Sequence, residues 1–184
     1  MAVKTFTDNT SLPASDINAY LANSGLVYVK EQAVVGSPTS MTVTNAFSAT
    51  FDHYRIVFSG ATPSASDSYR LMIGSGATAG HYGTMNYDLY SGAGTGAIRA
   101  NNAASIYCVL NEAGNKNSSF SCDILSPFLA QQTNIMGEGF GRVYYCDFGG
   151  TRNDSVSYTS FTITIDGAGT MTGGTAFVYG YRKA

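Results

Sequence analysis

The residues of this chain that could carry out chemistry are few. There are two histidines, His53 and His81, three cysteines and 12 acidic residues in 184. A hydrolytic triad or a metal centre needs a histidine brought to a cysteine or carboxylate in fixed geometry. His53 precedes an alternating segment and His81 sits in a glycine-rich stretch, and neither has such a partner at a recognisable spacing. Asp123 and Glu138 could form the carboxylate pair of a glycosidase, but nothing beyond their presence selects them. GSGATAG (74–80) and GEGFG (137–141) look like phosphate loops. Both lack the GxGxxG spacing, the Lys-Ser/Thr of a P-loop and a following helix N-terminus, so they read as turns or as small residues within strands. No catalytic residue, metal or cofactor is expected.

The cysteines cannot all pair within one chain. Each falls between apolar neighbours at alternate positions: Cys108 with Ile106 and Leu110, Cys122 with Phe120 and Ile124, Cys146 with Tyr144 and Phe148. Buried free thiols formed in a reducing cytoplasm are expected.

Composition narrows the class further. Charged residues make up 12%, about half the usual share of roughly 25%, so neutral polar groups carry the surface. Such a surface resists association weakly, and it fits either permanent assembly or simply a β-domain coated with Ser, Thr and Asn. The net charge of −2 and ten scattered basic residues argue against nucleic acid. The chain has no apolar run of 18 residues and no basic-then-apolar leader, so neither membrane insertion nor export on its own is expected.

The elements that must position these groups are almost all strands. From Leu26 onward the apolar pattern has period two, clearest in YTSFTITI, where Phe161, Ile163 and Ile165 face one way. Eleven segments, near 26–34, 40–45, 53–60, 68–74, 82–90, 104–110, 118–125, 133–140, 143–148, 157–165 and 175–182, are candidates for about ten strands, one of them being spurious. Without intervening helices they imply an all-β, antiparallel sandwich of jelly-roll character over 26–184. Asp166-Gly167 predicts a hairpin between the last two strands. Residues 91–103, SGAGTGAIRANNA, read as the longest loop.

Residues 1–25 differ. An extended arm with anchors Phe6 and Leu12 leads into one short helix near 15–23, capped by Ser15 and ended at Gly25, with Ile17, Tyr20 and Leu21 on one face. So short a helix cannot stand alone in water and must dock, on its own β-domain or on a neighbouring subunit; the anchors favour the neighbour. Thirteen tyrosines without a tryptophan put tyrosine at interfaces or ligand faces. Tyr82, Tyr87 and Tyr90, between the glycine stretches, and Arg99 in the predicted loop are the candidate receptor-facing residues.

The ends of the chain carry a resemblance. Phe6-Thr7, Leu12, Ala14-Ser15-Asp16-Ile17-Asn18, Tyr20-Leu21, Asn23 and Gly25-Leu26-Val27-Tyr28-Val29 are similar to the opening of small tailed-bacteriophage virion proteins of the minor tail or tail-fibre type. Ala46 to Ile56 looks like their first inner strands and Val178 to Lys183 like their ending. At Asn9–Pro13 the chain departs from their Gly-Glu-Val-Leu-Thr-like run. The resemblance implies a non-enzymatic virion protein, made in the host bacterial cytoplasm. Its partners would be other tail or capsid proteins, further copies of itself, with a trimer favoured, and a host-surface glycan as ligand. A capsid decoration protein is the alternative, and a carbohydrate-binding module the more distant one.

Overall fold

In the computed structural model, residues 25–92, 94–114 and 116–182 are described. The predicted helix near 15–23 and the arm before it lie outside them. Thirteen strands follow one another: β1 (Leu26–Ala33), β2 (Ser40–Val43), β3 (His53–Pro63), β4 (Ser68–Ile73), β5 (His81–Leu89), β6 (Thr95–Ala103), β7 (Ile106–Leu110), β8 (Ser118–Leu125), β9 (Thr133–Phe140), β10 (Tyr144–Arg152), β11 (Phe161–Ile165), β12 (Met171–Thr172) and β13 (Thr175–Tyr181). Among the described residues there is no helix, and every pairing is antiparallel.

Two sheets face each other. The smaller runs β2-β11-β4-β7, and the larger runs β1-β13-β3-β8-β9-β10-β5-β6, with β12 attached to β3. If β8 and β9 are set aside, the larger sheet reads β3-β10-β5-β6 opposite β2-β11-β4-β7, the two four-stranded layers of a jelly roll. The β8–β9 pair is therefore an insertion that widens one layer, and β13 and β1 extend it beyond β3. The all-β sandwich read from alternation is the observed fold.

Alternation also explains the core. Tyr54, Ile56 and Phe58 of β3, Phe120, Cys122 and Ile124 of β8, and Tyr69, Leu71 and Ile73 of β4 all point between the layers and are buried. Phe58 meets Tyr69 and Phe120 at ring-centroid distances of 5.4 and 5.5 Å, tying the layers together. The three cysteines are free and buried in this core, as expected. Burial pushes all three thiols up, Cys146 to about 11.

GEGFG has a packing role. Cβ atoms at Gly137, Gly139 and Gly141 would strike, in turn, the Ser121, Cys108 and Leu110 carbonyls. The missing side chains at Gly139 and Gly141 let β7 lie close across the larger sheet, and that at Gly137 makes room for β8 and Phe148.

Two expectations are corrected. Residues 95–103 are not a loop; they form β6, the edge strand of the larger sheet, paired to β5 from Asp88↔Thr95 to His81↔Ala103. Of its inward positions Gly96, Ile98 and Ala100, only Ile98 is large, and one residue cannot show an apolar period. The Asp166-Gly167 turn does not close a hairpin, because β11 enters the smaller sheet and β13 the larger. Asp166 instead pairs with Arg70 at 3.0 Å.

Candidate functional site

Three groupings of polar side chains stand out, and they differ in how completely the fold answers them. The first is on the outer face of the larger sheet. Asp123 of β8 lies opposite Arg55 of β3, whose Nη1 donates to both carboxylate oxygens at 3.3 and 3.4 Å. Tyr181 of β13 donates its hydroxyl to Asp123 Oδ1 at 2.6 Å. A shallow depression of about 340 Å³ adjoins this cluster, lined by Arg55, Ser121, Asp123, Met136, Glu138 and Asp147.

Asp123 and Glu138 thus share a face on adjacent strands, in diagonal register, since Asp123 faces Met136 and Glu138 faces Ser121. The acceptor capacity of Asp123 is spent on Arg55 and Tyr181, which suits a fixed ion pair better than a proton carrier. Glu138 stands directly opposite Asp147, and Asn86 donates to Asp147 Oδ2 at 2.9 Å. The Tyr145 hydroxyl is pushed up by desolvation and then by Glu138, Asp147 and Asp88, which marks a negative patch.

The second grouping surrounds His81, at the start of β5. The ring is buried, and Nε2 accepts the Ile73 N–H at 3.0 Å. Arg152 Nη1 lies 3.5 Å from Nδ1 and also donates to the Ala79 carbonyl; its Nε donates to Asp154 at 2.8 Å and to Tyr158 at 2.9 Å. Tyr158 closes the group by donating to Asp154 Oδ2 at 2.6 Å. Burial first and Arg152 second push the imidazole down to about 4, so it is neutral at pH 7. His53 is at the exposed start of β3, where its Nδ1 accepts the Ser126 N–H at 3.3 Å.

The third grouping is a cleft of about 250 Å³ where the end of β7 and the starts of β4 and β10 converge, lined by Ser66, Asp67, Ser68, Leu110, Asn111 and Tyr144. The turn before β4 is set locally: Asp67 Oδ1 accepts the N–H of the next residue, Ser68, at 2.9 Å. The Asp67 carbonyl accepts the Asn111 N–H at 2.9 Å and ties the end of β7 to it. Ser66 Oγ accepts the Ala113 N–H at 3.2 Å. Burial first, and Asp166 after the offsetting Ser68 bond, push the Asp67 carboxyl up. Tyr144 is held edge-on by Tyr87, with ring centroids 5.9 Å apart.

The residues singled out from the sequence do not converge. Phe6, Leu12, Ile17, Tyr20 and Leu21 lie outside the described residues. Tyr82 and Arg99 reach the outer face at the β5–β6 edge, and Tyr90 is exposed at the far end of β5. Tyr87 is corrected: it is on the inner side of β5, half-buried against Tyr144, and does not join an exposed row. Sequence reasoning missed Asp67, Asn111 and Tyr144. The Ser-Asp-Ser turn and the Asn ending an apolar strand are their local signals, and neither says that they meet.

No family model, curated protein or solved structure matches this chain. Among the described residues, no group of three or more His, Cys, Asp or Glu side chains is placed to hold a metal ion. No described helix is long and apolar enough to cross a membrane.

Proposed function

We propose that this protein is a structural component of a tailed-bacteriophage particle, of the tail-fibre or minor tail type, serving attachment to the host surface. The observation that carries the reading is the outer face of the larger sheet. Leu26, Tyr28, Tyr82, Met136 and Phe140 are all on it and all exposed, Tyr28 by 55% and Met136 by 54%. Two aromatic contacts, Tyr28–Tyr179 and Phe140–Tyr145, flank the Arg55–Asp123 pair. Exposed apolar side chains set around a charged cluster, on a chain with so few charges, suit burial in an assembly. The similarity of both chain ends to phage virion proteins supports the same reading, with residues 1–25 as the anchor and three copies as the assembly.

The test is cryo-electron microscopy of particles from a lysate in which this gene is expressed, together with sedimentation of the purified protein. Tail-associated density and a trimer are expected. Density spread over the head would replace the tail assignment with capsid decoration, and absence from particles would overturn the proposal. Ile17→Ala with Leu21→Ala should release the protein from particles while the β-domain stays folded by circular dichroism.

A further inference from the structure

One end of the sandwich holds a side chain that the fold leaves unanswered. Asn111 is 4% exposed, yet neither Oδ1 nor Nδ2 meets a hydrogen-bonding partner among the described residues. A buried polar group left unpaired destabilises the fold, and an apolar side chain of the same shape would remove that cost. The residue lines the 250 Å³ cleft beside Asp67, Ser66 and Tyr144. A bridging water needs only about 10–15 Å³, so the cleft has room for a larger occupant. Drug-sized sites start near about 300 Å³, so the occupant is small.

We propose that this cleft binds one residue of a neutral saccharide through a pair of neighbouring hydroxyls. Each hydroxyl both donates and accepts, so two adjacent ones answer the amide oxygen and the amide nitrogen together. A further hydroxyl donates to Asp67. Tyr144, steadied edge-on by Tyr87, offers an apolar ring against which the C–H face of a sugar can rest. Charge weighs against the competing ligands: burial and Asp166 disfavour the Asp67 carboxylate, the Ser68 N–H and Arg70 offset only part of this, and phosphate, uronate or sialic acid would bring a further negative charge to it.

Access to the amide runs through the segment after β7. Both amide atoms are covered, and the segment is tied by Asn111 N–H to Asp67 O, Ala113 N–H to Ser66 Oγ and Gly114 N–H to Pro63 O. Glu112 of this segment also makes a surface ion pair with Arg142 at 3.7 Å. Opening this segment draws on the binding free energy, so affinity for a single sugar is expected to be weak, about millimolar. The assignment goes beyond the virion reading and is tested without particles, so either can fail while the other stands.

Saturation-transfer NMR on the purified protein is the test, with D-galactose, D-glucose, D-mannose and N-acetyl-D-glucosamine as probes at millimolar concentration. Transfer to at least one is expected, with backbone amide shifts at Ser66–Ser68 and Leu110. Asn111→Leu should weaken binding about tenfold or more while its thermal midpoint equals or exceeds the wild type. Tyr144→Leu is the second variant, and should weaken the same probe if Asn111→Leu does not fold. N-acetylneuraminic acid should give no transfer. The proposal is overturned by silence from all four neutral sugars, or by wild-type transfer in whichever of the two variants folds. Shifts confined to the outer face around Arg55 and Glu138, or binding of the anionic sugar alone, would overturn it equally.

Discussion

Asp123, on the larger sheet, and Asp67, in the turn leading into β4 of the smaller one, are both partly buried aspartates, and the fold treats them in opposite ways. Asp123 is met by a guanidinium and a phenol across neighbouring strands. Asp67 has one backbone N–H, a second carboxylate nearby and an unpaired amide beside it. The first arrangement lowers the energy of the folded chain and leaves little for a ligand to gain. The second raises it and leaves hydrogen-bonding capacity to spare. Polarity alone therefore does not single out a ligand site on this molecule; the two places differ in how completely their polar atoms are paired.

The most severe test of that contrast uses His81, a third polar group, which is buried and well paired. Its folded value of about 4 is below the usual 6.5, so its contribution is intact above pH 6.5 and is lost as pH falls toward 4. Acidification through that window should cost about 3 kcal/mol by urea unfolding, and His81→Gln should flatten the profile. A wild-type curve that does not fall there would show that burial beside Arg152 does not hold the ring neutral. Gly139→Ala comes next. The added methyl meets the Cys108 carbonyl and presses on β7, which should cost about 1–3 kcal/mol and disturb the amide signals of Leu110 and Asn111 before those of the outer face.

Smaller effects discriminate more finely. Asp123→Asn should lower stability by about 1 kcal/mol, discounted because Arg55 and Asp123 are partly exposed to solvent. The same chemical change at Asp67 should go the other way. Asparagine still accepts the Ser68 N–H and sheds a disfavoured charge, so Asp67→Asn should hold or raise the melting temperature at pH 7, within about 0.5 kcal/mol. Equal losses at both positions would erase the distinction between them.

Much of the scaffold was legible in the sequence, and the cleft was not. Strands such as β11 declare themselves because Phe161, Ile163 and Ile165 are large enough to trace a period, and the same pattern placed all three cysteines inside. β6 escaped because Gly96 and Ala100 bury too little to alternate visibly. The mistaken hairpin at Asp166-Gly167 has a different cause: turn chemistry is local, while the choice of sheet is made by long-range packing. Asp67, Asn111 and Tyr144 come from three separate segments, each of which looks like an ordinary strand end. Only the crossing of β7 over the glycines of β9 brings them to one cleft.

The order of strands in the larger sheet also bears on how the chain is made. β13 lies between β1 and β3, pairing Leu26 with Tyr181 on one side and Val57 with Phe177 on the other. During synthesis β1 and β3 leave the ribosome long before β13, so both expose unpaired backbone edges until it arrives. Such long-range closure is slow, and open edges invite pairing with other nascent chains. Loss of the segment carrying β13 would leave β1 with no partner strand and β3 open along one side, so nascent chains cut short before it should accumulate as aggregates.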